Sequence, residues 1–256
     1  MNEPTPHRID PSDLQDQLSQ GGEPLDIHGY GSLRDQLLAQ QSQDPNDLIT
    51  MATSQATLQE RQQATEAEQR KQESIKAAET QLRDFEEWFI ANGIDMRRVL
   101  KDNSGNPAEL EVDYDPTTKQ AKIVSTTGEP LTIRLNNRNL TTLPEISLFD
   151  LEDLDCSYNQ LTTLPELPDN LEDLRCYNNQ LTTLPELPAS LQTLYCNDNQ
   201  LTTLPELPAS LQTLYCYNNQ LTTLPELPAS LQALICSNNQ LTPLAIANVK
   251  SRGFNV

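Results

Sequence analysis

Leucine recurs at a fixed spacing through the C-terminal half of the chain. Between residues 140 and 240, one unit of twenty-one residues precedes four units of twenty, all with a common pattern of apolar and polar positions such as "LTTLPELPASLQTLYCYNNQ". A fixed period of this length is typical of a solenoid, in which each unit buries its apolar side against its neighbours. Strand-like alternation within "LQTLYC" predicts that Leu211, Leu214 and Cys216 face the core. Successive strands should stack in parallel, about 4.8 Å apart.

The segments between the predicted strands follow the same repeat. An asparagine comes just after each strand, where its amide can satisfy backbone groups of a buried turn. These residues are Asn159, Asn179, Asn199, Asn219 and Asn239. The return segment "LTTLPELP" contains prolines, which fix φ and favour an extended path over a helix. A row of glutamates is expected on the convex side, where it aids solubility, at Glu145, Glu166, Glu186, Glu206 and Glu226.

All five cysteines of the chain occupy one position of the repeat, at Cys156, Cys176, Cys196, Cys216 and Cys236. Free cysteine behaves as a small buried hydrophobe, and this position faces the core. Neighbouring parallel strands hold their side chains further apart than a disulfide prefers, and a straight row of thiols cannot surround a zinc ion. The histidines, His7 and His28, are distant in the sequence, so neither is expected to activate a thiol. The cysteines are therefore predicted to fill the core.

The repeat fits Leu-x-x-Leu-x-Cys-x-x-Asn-x-Leu, the pattern of a leucine-rich repeat at the short end of its length range. Its "LPELPASLQ" and "NQLTTLPELP" segments resemble the short bacterial repeats of the YopM and IpaH effectors, over roughly residues 130–245. The resemblance implies a solenoid that acts as a scaffold for host proteins. The IpaH branch also carries a ubiquitin-ligase domain with a catalytic cysteine after its repeats. Every cysteine here belongs to a repeat, so that activity is not expected.

The sequence before the repeats predicts a long helix and a small sheet. A helical pattern runs from Asp47 to Asn92 and ends at Gly93. Apolar residues spaced by three and four near its end indicate docking onto the solenoid or a neighbouring helix, in preference to a long coiled coil. They are Ile75, Ala78, Leu82, Phe85 and Phe89. The alternating segments "ELEVDYD", "KQAKIVST" and "LTIRL" predict a β-meander that leads into a decayed repeat, with Arg138 in place of the asparagine.

Together these patterns predict an α+β fold: a leucine-rich-repeat solenoid with a parallel β concave face, preceded by a long helix and a small β-meander cap. The expected segments are a flexible or short-helical N-terminal segment (1–46), a helical region (47–107), the β-meander, N-terminal cap and decayed repeat (108–139), five leucine-rich repeats (140–240) and a C-terminal cap helix (241–256). In that last helix we expect Thr242 as the N-cap, Pro243 at the first helical position and Gly253 at the end.

Charge and hydropathy narrow the classes of partner. The chain has a net charge of -20, and Arg175 is the only basic residue between Leu140 and Gln240, which disfavours nucleic acids and anionic membranes. No apolar run reaches the length of a membrane span, and the N-terminus lacks the pattern of a signal peptide. We therefore expect no membrane insertion. Combined with the effector resemblance, this implies secretion without a signal peptide into the host cytoplasm, with the bacterial cytoplasm as the alternative.

No motif in the sequence indicates catalysis, and we expect neither enzymatic activity nor a bound cofactor or metal. The segment "DNSGNPAELEVD" matches a calcium-binding loop at Asp102, Ser104 and Asn106. Pro107 nevertheless replaces the glycine that such a loop requires at its sixth position. A calcium site is therefore disfavoured.

The predicted concave face is the candidate functional surface, since its outward positions change from acidic through tyrosine-rich to apolar along the solenoid. Tyrosine and arginine dominate the energetics of protein interfaces, although tyrosine is also a good strand former. The residues predicted to bind a protein partner are Asp155, Arg175, Tyr177, Tyr195, Thr213, Tyr215, Tyr217 and Ile235. The predicted function is a non-enzymatic protein–protein interaction module, a secreted effector that binds a host protein.

Two other functions stay open from the sequence alone. One is a substrate-targeting or regulatory component of an enzyme system, similar to a ubiquitin ligase, whose catalysis a partner supplies. The other is a bacterial structural protein with no role in virulence. The oligomeric state is not specified by any of these patterns.

Overall fold

The strands of the repeats form one continuous sheet. The computed structural model describes residues 45–254, with side chains from residue 56 onward. Its helices are α1 (Pro45–Ala91), α2 (Met96–Val99) and α3 (Pro243–Ser251). Its strands are β1 (Leu100–Asp102), β2 (Leu110–Asp115), β3 (Gln120–Ser125), β4 (Leu131–Arg134), β5 (Leu151–Asp155), β6 (Asp173–Arg175), β7 (Thr193–Tyr195), β8 (Thr213–Tyr215) and β9 (Ala233–Ile235). The main sheet has the order β1-β4-β5-β6-β7-β8-β9, and β2 and β3 form a separate hairpin.

Strands β4 to β9 pair in parallel, and from β5 onward equivalent positions of successive repeats lie side by side. Tyr195, for example, pairs with Tyr215. Leu211, Leu214 and Cys216 are fully buried, whereas Tyr215 is only partly buried on the opposite face. The predicted α+β fold and leucine-rich-repeat solenoid are therefore confirmed.

The cysteines form a continuous row within the solenoid core. Each is a free thiol, and none is more than 1% exposed. Burial raises the pKa of the Cys156, Cys176 and Cys196 thiols well above its usual value. The prediction that the cysteines act as core residues is confirmed.

The repeated asparagine ties each turn to the preceding repeat. Asn199 donates through its Nδ2 to the carbonyls of Cys176 (3.0 Å), Cys196 (3.2 Å) and Asn197 (3.2 Å). Its Oδ1 accepts the backbone N–H of Leu181 at 3.0 Å. One side chain thus satisfies buried backbone groups of two repeats, as predicted.

The N-terminal cap differs from the predicted meander. Only the first two predicted strands form a hairpin, β2–β3, which bonds to the first repeat through Ile123 and the backbone of Leu148 and Asp150, both at 2.8 Å. The third, β4, belongs to the main sheet, where it lies between β5 and the antiparallel β1. Strand β1 falls inside the segment 47–107, for which only helix was predicted. By pairing with β4, it supplies hydrogen-bond partners to the backbone N–H and C=O groups along the outer edge of the parallel sheet.

Helix α1 ends close to its predicted position, and its apolar stripe docks. Ala78, Phe85 and Phe89 are buried, and the Phe85 ring lies 4.5 Å from that of Phe149 in the first repeat. The predicted docking of the apolar stripe onto the solenoid is therefore confirmed. The described chain divides within α1 into two units, the first ending at Glu66 and the second beginning with the next residue. The predicted segment 1–46 lies almost entirely outside the described residues.

The C-terminal helix begins with the predicted cap. Thr242 accepts the backbone N–H of Ala245 at 3.3 Å, and Pro243 is the first helical residue. The helix buries Ala245 and Val249 at the end of the solenoid, so the core of the last repeat is covered.

Replacing Asn199 with alanine should destabilise the solenoid. The substitution leaves three carbonyls and one N–H without their side-chain partner, which should lower the free energy of unfolding by about 2–3 kcal/mol. Urea unfolding followed by circular dichroism measures this change. Gln200→Ala, at an exposed neighbour, is the matched control and should change stability by less than about 0.5 kcal/mol. Equal effects of the two substitutions would contradict the proposed role of the amide.

A thiol reagent should label the native protein far more slowly than the unfolded protein. The reason is that all five cysteines are buried and the thiolate form is disfavoured. The labelling rate with a chromogenic disulfide, with and without denaturant, measures the difference. Rapid labelling of the native chain would show that the row of cysteines does not face a closed core.

Candidate functional site

The outward-facing residues of β5 to β9 form rows that cross the concave face. The row that contains Tyr195 consists of Asp155, Arg175, Tyr195, Tyr215 and Ile235. The parallel register places each of these side chains beside the equivalent one of the next repeat. Ile235, in the last repeat, is 40% exposed, and the other four are partly buried.

Charged side chains dominate the N-terminal end of this face. Arg175 Nη1 donates to both carboxylate oxygens of Asp153 at 3.2 Å, and its Nη2 donates to Asp173 Oδ2 at 2.6 Å. Arg134 approaches Asp153 at 3.8 Å. Asp155 Oδ1 instead accepts the backbone N–H and the hydroxyl of Ser157, at 3.0 and 2.6 Å. Both arginines are therefore bound to carboxylates of the same face.

Asp173 is the most perturbed carboxylate of this cluster. Its Oδ1 is buried and has no hydrogen-bond partner among the described residues. Burial raises the pKa of Asp173 to about 6; Arg175 opposes this shift, and the nearby Asp153 and Asp155 add to it. The side chain therefore changes charge in the mildly acidic range.

Tyrosines occupy the centre of the face. The Arg175 guanidinium lies 6.0 Å from the centre of the Tyr195 ring, and the Tyr195 and Tyr215 rings meet edge to face at 4.9 Å. Tyr177 and Tyr217 complete a shallow depression of about 240 Å³, together with Asn197. We call this depression, with its six lining residues, the tyrosine depression. Its walls offer aromatic faces and hydroxyl groups to a ligand.

The structure brings five of the eight predicted site residues to the tyrosine depression: Arg175, Tyr177, Tyr195, Tyr215 and Tyr217. Asp155 and Ile235 lie at the two ends of the row that contains Tyr195, and Thr213 belongs to the neighbouring row. These positions agree with the predicted face, and their role in binding stays a prediction.

Several residues of this face were not among the predicted binding residues. Asp153 and Asp173 hold Arg175, and Asn197 lines the tyrosine depression. Tyr158 is 53% exposed, and its ring lies 5.2 Å from that of Tyr177. Its backbone φ of 53° is a conformation that asparagine and aspartate occupy in the later repeats. Aligning the repeats finds Tyr158, because it is the only aromatic residue at that position.

Comparison of the last three repeats locates the variable surface. From residue 181 to 240, sixteen of the twenty positions are identical in all three units. The four that vary begin in the first unit with Thr193, Tyr195, Asn197 and Asp198. All four lie on a strand of the concave sheet or in the three residues after it, whereas the convex "LTTLPELP" segment is constant. Among the last three repeats, sequence differences are thus confined to the candidate face and its border.

Neither a metal site nor a membrane-spanning helix is found among the described residues. Within 45–254, no group of three or more histidine, cysteine, aspartate or glutamate side chains is arranged to hold a metal ion. The Asp102 carboxylate, at the calcium-like motif, accepts the backbone N–H of Asn106 at 2.8 Å and so closes a turn. None of the described helices is long and apolar enough to cross a membrane.

The fold and the repeated face define a leucine-rich-repeat protein. Residues 169–209 and 189–229 match the family described as Leucine Rich repeats (2 copies), and residues 150–171 match Leucine Rich Repeat. The predicted repeats are thereby confirmed. No curated protein matches the chain.

Solved structures similar to this chain include those of bacterial effectors. YopM from Yersinia enterocolitica WA-314 is 47% identical over 43% of this chain and 25% of its own, with a TM-score of 0.42. A Shigella effector LRR domain is 42% identical over 43% of this chain and 50% of its own, also with a TM-score of 0.42. YopM from Yersinia pestis, a leucine-rich effector protein, is 44% identical over 43% and 31%, with a TM-score of 0.41. The chain thus spans at most half the length of these proteins.

Replacing Asp173 with asparagine should flatten the dependence of stability on pH. The pKa of Asp173 is about 6 in the folded state against a usual 3.8, so the folded state binds the additional proton between these values. Stability from this group is therefore present at low pH and lost as the pH rises through about 6. As the pH falls from about 7 to about 5, the free energy of unfolding of the parent should rise by on the order of 1 kcal/mol relative to that of the variant. Partial exposure of the side chain to solvent limits the size of this gain. Urea unfolding at both pH values measures the difference.

Glu172→Gln removes one charge from an exposed neighbour of Asp173 and serves as the control. If Asp173→Asn shows the same pH dependence as the parent, the carboxylate is not buried as described.

Proposed function

We propose that this chain is a non-enzymatic protein-interaction module that binds a partner protein through the concave face of its repeats. The observation that supports this most directly is that the last three repeats differ from one another only on that face and its border. Folding alone requires the constant positions, namely the buried leucines, the cysteines and the asparagines. Differences at outward positions change what the surface can recognise and leave the core unaltered.

The tyrosine depression has the physical properties of a binding surface. Tyr195 and Tyr215 are held by the flanking ring and by the Arg175 guanidinium, so little side-chain freedom remains to be lost on binding. Each ring still exposes part of its surface to solvent. Covering such rigid aromatic area stabilises a complex at low entropic cost.

The convex row of glutamates offers no aromatic surface of this kind. Its glutamates are exposed and repeat without variation, at Glu145, Glu166, Glu186, Glu206 and Glu226. Like charges in a row repel one another, and they favour solubility over association. The convex row therefore provides a control surface with the same periodicity as the concave rows.

The similarity of the repeats in sequence to those of bacterial effectors supports a host protein as the partner, reached by secretion of this chain into the host cytoplasm. In this proposal Asp155, Arg175 and Tyr177 contact the partner at the N-terminal side of the face. Thr213, Tyr217 and Ile235 contact it further along the solenoid.

The double substitution Tyr195→Ala, Tyr215→Ala should abolish capture of the partner. Truncation of a central aromatic residue costs on the order of 2 kcal/mol of affinity, or about thirtyfold, per site. The immobilised full-length chain is incubated with host-cell lysate, and bound proteins are quantified by mass spectrometry. Urea unfolding of the same variant should show only a small loss of stability, because both rings are partly exposed.

The matched control is Glu206→Gln, Glu226→Gln on the convex side, which should retain the captured proteins. Loss of capture by the glutamate variant, with retention by the tyrosine variant, would contradict the proposed face. Specific capture from bacterial lysate but not from host lysate would instead support the structural function within the bacterium.

A further inference from the structure

The concave face carries its charge at one end and its apolar surface at the other. Strands β4 to β6, with the residue just before β6, present five carboxylates against two guanidinium groups: Glu152, Asp153, Asp155, Glu172 and Asp173 against Arg134 and Arg175. No basic residue follows Arg175 until Lys250, so β7 to β9 contribute no positive charge. The electrostatic potential of this face is therefore negative, and strongest at its N-terminal end.

The two arginines do not reverse this character, because both are paired with carboxylates of the same face and the carboxylates outnumber them. Arg175 bonds to Asp153 and Asp173, and Arg134 approaches Asp153. Among the described residues, Asp155 and Glu172 have no salt-bridge partner. These two carboxylates are thus available to a cation from outside.

The other end of the row is suited to apolar side chains. Beyond the edge-to-face pair of Tyr195 and Tyr215, Ile235 is 40% exposed. A second depression of about 430 Å³ lies there, lined in part by Tyr215, Ile235 and Phe254. An aliphatic or aromatic side chain that covers this end removes apolar surface from water.

We propose, on the basis of the function proposed above, that the partner presents an extended segment with one lysine or arginine at Asp155 and two apolar side chains at Tyr215 and Ile235. Charge complementarity selects the basic residue, and the exposed aromatic and aliphatic surface selects the apolar ones. The segment crosses the concave strands along the solenoid axis.

The strand spacing sets the positions of these residues in the segment. Asp155 and Tyr215 are three strands apart, or about 14 Å at about 4.8 Å per step, and Ile235 is one strand further, at about 19 Å. An extended chain advances about 3.3 Å per residue and turns alternate side chains to one face. The apolar residues therefore stand four and six positions from the basic residue, all on the same side of the segment.

Selection from a display library of random peptides of about twelve residues against the full-length chain tests this motif. Enriched peptides should contain lysine or arginine with apolar residues four and six positions away. Synthetic copies are then measured by fluorescence anisotropy. Replacing the basic residue with glutamate should weaken binding at least about tenfold, and the affinity of the basic peptide should fall as salt is raised.

Variants of the chain locate the charge contact. Asp155→Asn should weaken binding of the basic peptides about fivefold and reduce its salt dependence, while Glu206→Gln leaves both unchanged. Asparagine at 155 can still accept the hydrogen bonds from Ser157, and circular dichroism checks that the fold is retained. An unchanged affinity in the concave variant would overturn the proposal.

The outcome separates this inference from the function on which it rests. If selection yields acidic or uncharged peptides that no longer bind the Tyr195→Ala, Tyr215→Ala chain, the concave face is the site and the basic motif is wrong. If the enriched peptides bind that variant as tightly as they bind the parent chain, both proposals fail. Absence of any enrichment counts against an extended segment as the occupant.

Discussion

The solenoid depends on the hydrogen bonds of one asparagine per repeat. Each of these side chains accepts the N–H of the first leucine of its own repeat and donates to carbonyls of its own and the preceding repeat, so the chain can leave the strand through a buried turn. In place of this asparagine the decayed repeat has Arg138, whose own N–H is bound by Asn159 of the next repeat. A turn can therefore lack the residue as long as the repeat after it retains one.

This backbone arrangement explains why the outward surface tolerates change. The leucines and cysteines fill the interior, and the asparagines satisfy the turn, so no outward side chain is required for the fold. Acidic, aromatic and aliphatic residues can then occupy equivalent positions, as Asp155, Tyr195 and Ile235 do. The positions that vary and the positions that build the fold are therefore different positions of the same twenty residues.

The repeat pattern was sufficient to predict the strands of the repeats, their register and the buried thiols, because each follows from local periodicity. The helix cap at Thr242 was predictable from local hydrogen bonding. Strand β1 was not predictable in this way. Its three residues show no alternation of their own, and they are extended because they pair with the open edge of β4. The ion cluster at Arg175 was likewise only partly predictable from the sequence. The sequence places it next to Asp155, whereas the side-chain conformation directs its donors to Asp153 and Asp173.

The near identity of the last three repeats has a consequence for how such a chain changes over generations. Because each unit presents the same two interfaces to its neighbours, recombination between the matching gene segments can add or remove a whole unit while both ends stay capped. The length of the concave face can thus change in steps of one strand, about 4.8 Å at a time. A lineage can lengthen its recognition surface by duplication first and diversify the outward residues afterwards.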